Sequence, residues 1–263
     1  MAHEDDDLLF LNPSVSDDVA AGRCVVTVFV TAGDSGRPYS YWEGRESGSM
    51  AAYATAAGLP GDWTHDTAVA AGHAITRYWL HNSKIQLLFM RLPDAHGNPY
   101  GRPVYGLERL WNGQLPALRT VDLRDTYTKK TLVATLTALM NYYRPDEIRT
   151  LDFVGHYGDG DHNDHHTVGY LTYAAQRAYA LPHRITGYMG YPVENQPANL
   201  ADAVRDTKLG IFLAYAPYDN KVCQTYDECM TNFYAPRFDH SIVTGEQTYS
   251  ARPRRTTSTG NRP

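Results

Sequence analysis

Cys24-Val25-Val26-Thr27-Val28-Phe29-Val30-Thr31, running into Ala32-Gly33-Asp34-Ser35-Gly36, is the stretch that decides the fold. A run that is β-branched and apolar throughout is the pattern of a strand buried on both faces, with Cys24 as a buried thiol at its start. The glycine-containing loop behind it marks the carboxyl edge, where ligands sit in an open α/β sheet. The alanine-rich residues 39–57 then read as a helix, closed by Gly58-Leu59-Pro60. The same alternation continues along the chain. Residues 84–92, 148–154 and 184–191 read as strands, and residues 128–143, 165–179 and 200–214 as helices. A short helix ending at Ala21 follows the Asn12-Pro13 turn. Strands alternating with helices predict the α/β class, with a mainly parallel sheet covered by helices on both faces. Such a sheet normally leads a strand into its first catalytic loop, yet only Met1 and Ala2 precede the first histidine. Either that strand lies upstream of an internal start, which is the expectation here, or the sheet lacks it.

Composition sets the remaining bounds. With 263 residues, 43% hydrophobic and 20% charged, the chain is long enough for one large globular domain, read as residues 1–245. Residues 246–263, with Arg252, Arg254, Arg255 and Arg262, read as a polar, disordered tail. A net charge of −5 and the lack of a basic stripe argue against nucleic acid as the partner. No apolar run approaches the roughly 20 residues of a membrane span. Three cysteines rule out a four-cysteine zinc finger. Cys223 and Cys229 flank Gln-Thr-Tyr-Asp-Glu, which either closes a small disulfide loop or leaves two free thiols. The disulfide alternative, with an N-terminus expected to extend upstream, favours a secreted protein over a cytoplasmic one.

Two clusters carry the chemistry. One is His3-Glu4-Asp5-Asp6-Asp7 ahead of Leu8-Leu9-Phe10; the other is Asp161-His162-Asn163-Asp164-His165-His166. Imidazole and carboxylate are the donors of a catalytic zinc, which takes three protein ligands and leaves a position for water. His3, Asp6 and His165 make such a set, holding one divalent ion per chain. Asp5, beside the ligands but pointing elsewhere, is free to act as general base on the water. His162 is placed to donate a hydrogen bond to a developing oxyanion, and Asp164 to orient a ligand imidazole. His156, His166 and His183 read as ordinary surface or core histidines. The irregular residues 94–118, rich in glycine and proline, carry Tyr100, Tyr105 and Trp111; with Trp42 and Trp63 these could stack on sugar faces.

Ala2-His3-Glu4-Asp5-Asp6-Asp7 resembles the Ala-His-Pro-Asp-Asp-Glu signature of the zinc-dependent PIG-L/LmbE deacetylases. His162-Asn163-Asp164-His165, with Thr167-Val168-Gly169, resembles that family's His-Pro-Asp-His motif. Thr31-Ala32-Gly33-Asp34 and Arg45-Glu46 stand where the family has its Thr-x-Gly-like loop and Arg…Glu helix. The resemblance implies a Rossmann-like fold and the same roles for His3, Asp5, Asp6 and His165. It implies removal of an N-acetyl or other N-acyl group from an amino sugar or glycoconjugate. Asp5-Asp6-Asp7-Leu8-Leu9-Phe10-Leu11-Asn12-Pro13 is most similar to the actinobacterial branch that includes glycopeptide-antibiotic sugar deacetylases. Asp34, Arg45, Trp111 and His240 are the substrate-binding candidates, the last because some members add a C-terminal histidine. The chain departs from the pattern at Glu4 and Asn163, which replace prolines, and at Gly160, where some members have a tyrosine. The alternatives are a divalent-metal phosphoesterase using Asp5-Asp6-Asp7, for which a Gly-Lys phosphate cradle is missing, and a non-catalytic carbohydrate-binding relative, which would have no need of Asp5.

Overall fold

The computed structural model describes residues 1–94 and 106–250. The strand expected over residues 24–31 is present as β1 (Val25–Thr31), but Cys24 lies outside it and its thiol is exposed. Ahead of it a π-helical turn, Asp7–Leu11, drives Leu8, Leu9, Phe10 and Leu11 into the core, and α1 (Ser14–Ala20) follows. Helix α2 (Tyr39–Ala57) carries the chain back across β1 and stops at Gly58, whose φ of +62° ends it in the left-handed region that glycine tolerates.

Next come β2 (Trp63–Ala70), β3 (His73–Leu80) and β4 (Ile85–Leu92), in the sheet order β1-β4-β3-β2. β1 and β4 are parallel, with Phe29 beside Phe89 and their rings stacked at 5.1 Å. β4 with β3, and β3 with β2, are antiparallel. This corrects the mainly parallel expectation: the sheet is mixed. The reason is connection length, since short turns between β2, β3 and β4 can only return the chain antiparallel, whereas the parallel β1/β4 pair needs an intervening crossover.

A short helix α3 (Leu107–Trp111) and a two-residue ribbon, β5 (Leu118–Arg119) with β6 (Thr126–Tyr127), lead to α4 (Lys129–Tyr143). Thr128 and Thr131 cap α4 reciprocally. A second sheet holds β7 (Glu147–Leu151), parallel to β8 (His183–Tyr188), which pairs antiparallel with β9 (Val243–Tyr249). Between β7 and β8 runs α5 (Asn163–Gln176), and after β8 runs α6 (Asp202–Tyr215). Helix α2 packs on α6, and α4 on α5.

β9 corrects the tail boundary: residues 246–249 are strand. Its exposed edge position leaves both faces largely polar, so it carries no apolar signal. Residues 251–263 lie outside the described residues, as do Tyr100 and Tyr105. The last helices are α7 (Tyr226–Thr231) and α8 (Ala235–Phe238). Cys223 and Cys229 form a disulfide. Met1 and Ala2 lie along the outer edge of β1: Met1 donates to Val28 O at 2.7 Å, and Val30 and Thr31 donate to Met1 O and Ala2 O at 2.9 and 3.0 Å. No helix among the described residues is long and apolar enough to cross a membrane.

Candidate active site

Ala2, pinned by the amide and hydroxyl of Thr31, projects His3 beyond the carboxyl end of β1. The His3 amide donates to Asp6 Oδ2 at 2.6 Å, folding the turn so that Asp6 Oδ1 lies 3.3 Å from His3 Nδ1. That same oxygen lies 3.1 Å from Nε2 of His165, on the first turns of α5. The His3 and His165 rings are 5.3 Å apart, although 162 positions separate them in sequence. All three side chains are buried. Asp6 Oδ1 therefore lies within 3.3 Å of one nitrogen on each of the two histidines expected to be ligands.

Hydrogen bonds assign the tautomers. His165 Nδ1 donates to Asp161 Oδ1 at 2.7 Å, an oxygen that also accepts the amides of His162 and Tyr191 at 2.8 and 3.0 Å. With Nδ1 so engaged, Nε2 is the atom of this ring that a cation, or a second proton, would take. It is buried, has no hydrogen-bond partner, and faces a carboxylate oxygen. Two electron-rich atoms at that distance are held together by a positive charge between them. Tetrahedral zinc with bonds of about 2.0–2.1 Å separates its ligand atoms by roughly 3.3 Å, and the spacings of 3.1 and 3.3 Å match. These side chains fit a zinc ion.

His162 is different, although its ligand atom lies within 4.8 Å of those of His3 and His165. As N-cap of α5 it accepts the Asp164 amide on Nδ1 at 3.2 Å. In that neutral tautomer Nε2 carries the proton and can donate a hydrogen bond. His3 turns its second nitrogen, Nε2, toward Asp94 Oδ1 at 3.5 Å and Asp164 Oδ2 at 3.8 Å. At those separations the carboxylates add negative charge beside the ring without a hydrogen bond to it, and His3 Nε2, like His165 Nε2, is buried without a hydrogen-bond partner.

The charges agree with this arrangement. Burial pulls the His165 imidazole down, but Asp6 and Asp161 outweigh it and raise it to about 10. Burial works upward on Asp6, yet His165 and His3 hold it well below the carboxylate range. The balance that binds an extra proton here would bind a cation. The approach is close enough to dictate the residue opposite: a Cβ on Gly190 would fall 2.3 Å from Asp161 Oδ1 and 2.5 Å from His165 Nδ1.

Asp5 is buried with Oδ1 at 2.5 Å from Arg45 Nη2, and burial raises its carboxyl. Glu4 is wholly buried, and neither carboxylate oxygen has a hydrogen-bond partner. Burial raises Glu4 well above the usual range, against the pull of Arg45, whose Nε is 3.6 Å away.

The substrate-binding candidates fare otherwise. Asp34 gives Oδ1 to the Asp94 amide at 2.8 Å and Oδ2 to the Gly36 amide at 3.0 Å, so it anchors the loop that brings Asp94 to His3. Arg45 is buried, and each of its three nitrogens meets a protein acceptor. The Trp111 ring packs against the Lys129 ammonium at 3.7 Å and against Tyr170. His240 is buried with both ring nitrogens on backbone carbonyls, those of Pro236 and Gln196. None of these four presents a free polar group to the ligand trio.

Three residues given no role from sequence complete the site. Asp161 has a legible signal, standing four residues before His165 and just ahead of α5. Asp94 follows β4 after Pro93 and offers none. Tyr191 stacks on His165 at 5.2 Å and meets Phe10 edge-on, with the largely exposed Phe233 ring 5.8 Å beyond it.

The family model described as PIG-L, GlcNAc-PI de-N-acetylase, matches residues 1–176, about two-thirds of the chain and both clusters. The chain belongs to the PIG-L family. Membership bears out the resemblance carried by the two motifs, and the α/β fold with its buried His/Asp site is the PIG-L chain's own expression of it. No curated protein matches the sequence. Among solved structures, a teicoplanin deacetylase in a zinc-inhibited form is 13% identical, with a TM-score of 0.46, covering 82% of this chain and 81% of that one. An A40926 pseudoaglycone deacetylase is 17% identical, with a TM-score of 0.47, covering 82% and 78%.

Proposed function

We propose that this PIG-L chain is a zinc-dependent hydrolase that removes an N-acetyl or N-acyl group from an N-acetylglucosamine-type sugar or glycoconjugate. The observation that carries the reading is the buried Nε2 of His165, without a hydrogen-bond partner, held 3.1 Å from Asp6 Oδ1. His3, Asp6 and His165 would hold the ion. Bound zinc supplies a Lewis acid for the acyl oxygen and a water whose pKa falls to about 7. Asp5 takes the proton from the attacking water and returns it to the departing amine. The Nε2–H of His162 donates to the oxygen on which negative charge develops. Asp161 holds His165 in the tautomer that leaves Nε2 for the ion, and Asp94 and Asp164 place negative charge beside His3. The Cys223–Cys229 disulfide supports residence in an oxidising compartment.

The test is incubation of the zinc-loaded protein with a panel of N-acyl amino sugars, followed by assay of the free amine. Release from an N-acetylglucosamine conjugate is expected. Asp5→Ala should cut it by about 10²–10⁴-fold while keeping the ion. Release that is undiminished in Asp5→Ala would overturn the assignment.

A further inference from the structure

Arg45 is invested in the protein interior, and the direction of its bonds says what it does. Nη2 holds Asp5 Oδ1 at 2.5 Å, Nη1 donates to Gly33 O at 2.8 Å, and Nε donates to the Tyr215 hydroxyl at 2.6 Å. The guanidinium is planar, so fixing two of its three nitrogens fixes where the third points. Gly33 closes one side, where a Cβ would fall 2.2 Å from Arg45 Nη1. Tyr215 closes the other, donating in turn to Asp219 Oδ2 at 2.8 Å, an oxygen itself 3.1 Å from Arg45 Nε. Asp219 is locked by the Lys221 amide at 2.9 Å and by the Tyr41 hydroxyl at 3.2 Å.

We propose that Arg45 is a positioning residue for Asp5, and that Tyr215 and Asp219, through Arg45, set the aim of that carboxylate. This rests on the general-base role given to Asp5 above. It also assigns catalytic weight to a part of the chain beyond the family match at residues 1–176, because Tyr215 ends α6 and Asp219 follows it. A carboxylate that must face a water gains from an anchor that leaves one oxygen free. A displacement of about 1 Å at such a group costs on the order of 10² in rate.

The test separates positioning from substrate binding. Steady-state kinetics on an N-acyl amino sugar, with zinc content measured alongside, are compared for wild type, Arg45→Lys, Arg45→Met and Tyr215→Phe. Arg45→Met should lose about 10²-fold in kcat with KM and bound zinc unchanged. Arg45→Lys should recover only part of that loss, because an ammonium cannot bridge three acceptors arranged as a fork. Tyr215→Phe deletes one hydroxyl without touching Asp5, and should lower kcat about tenfold with the fold intact; it decides the matter if the Arg45 variants fail to fold. A rise in KM at unchanged kcat in an Arg45 variant would make Arg45 a substrate-binding group and overturn the proposal. Wild-type kcat in Tyr215→Phe would overturn it equally. Neither result touches the zinc-hydrolase reading, which falls only if wild type binds no zinc or releases no amine.

Discussion

At the scale of single residues, the site is a set of imidazoles whose two nitrogens have opposite tasks. His165 spends Nδ1 on Asp161 and so frees Nε2, while His162 spends Nδ1 as an acceptor at the start of α5 and so keeps a proton on Nε2. Distance alone would count both as ligands; hydrogen bonding separates them, one Nδ1 donating and the other accepting. The division is testable through Asp161, which touches no ion itself. Asp161→Asn should weaken zinc binding by about 10–100-fold, since an amide cannot hold the Nδ1 proton as a carboxylate does. Competition with a chromophoric chelator reads that affinity, and an unchanged value would contradict the tautomer assignment. The same logic shows where sequence falls short. His3, Asp6 and His165 are legible because ligand chemistry limits them to a few residue types. Asp94 and Tyr191 are ordinary residues made important by the elements that deliver them, and nothing local marks them.

At the scale of elements, legibility follows burial. β1, β4 and α2 announce themselves because their buried faces demand apolar or small side chains. The β2–β3 hairpin does not. Trp63-Thr64-His65-Asp66-Thr67 mixes polar and aromatic residues along a strand only half covered, and its turn at Ala71-Gly72 places a non-glycine residue at φ +50°. Alanine is not a residue from which such a turn is read. β9 is hidden for a related reason, as an edge strand with neither face in the core. The parallel-sheet expectation failed on that hairpin, since one unseen pair of strands turned the β1/β4 sheet mixed. Arg45 and Asp34 show contacts that the sequence does not reveal. Both lie where the family resemblance leads the eye to substrate, and both face inward, one onto Asp5 and one onto the loop carrying Asp94.

At the scale of the whole molecule, the buried polar groups of the first seven residues are held by partners drawn from much of the length of the chain. Global stability therefore bears on the site, and one buried group gives it a readable pH dependence. Lys208 of α6 lies fully inside, donating to His240 O at 2.6 Å, and burial lowers its ammonium to about 7. In the unfolded chain that pKa is about 10.4. Between the two values the unfolded state binds a proton that the folded state lacks, so stability rises with pH through this window, by up to about 1.4 kcal/mol per pH unit from this group. In the zinc-free protein the raised His165 and His3 imidazoles work in the opposite sense over this window, so Lys208 is read as a difference: the Tm of wild type relative to Lys208→Met should rise from pH 7 to pH 8.5, and a difference that stays constant would remove Lys208 as a contributor. The central claim is the ligand set itself, and anomalous scattering at the zinc edge from zinc-loaded crystals tests it most directly. A single peak about 2.0–2.2 Å from His3 Nδ1, Asp6 Oδ1 and His165 Nε2, with His162 outside coordination, is the predicted result. A peak ligated by His162, or no peak among these side chains, would contradict the account.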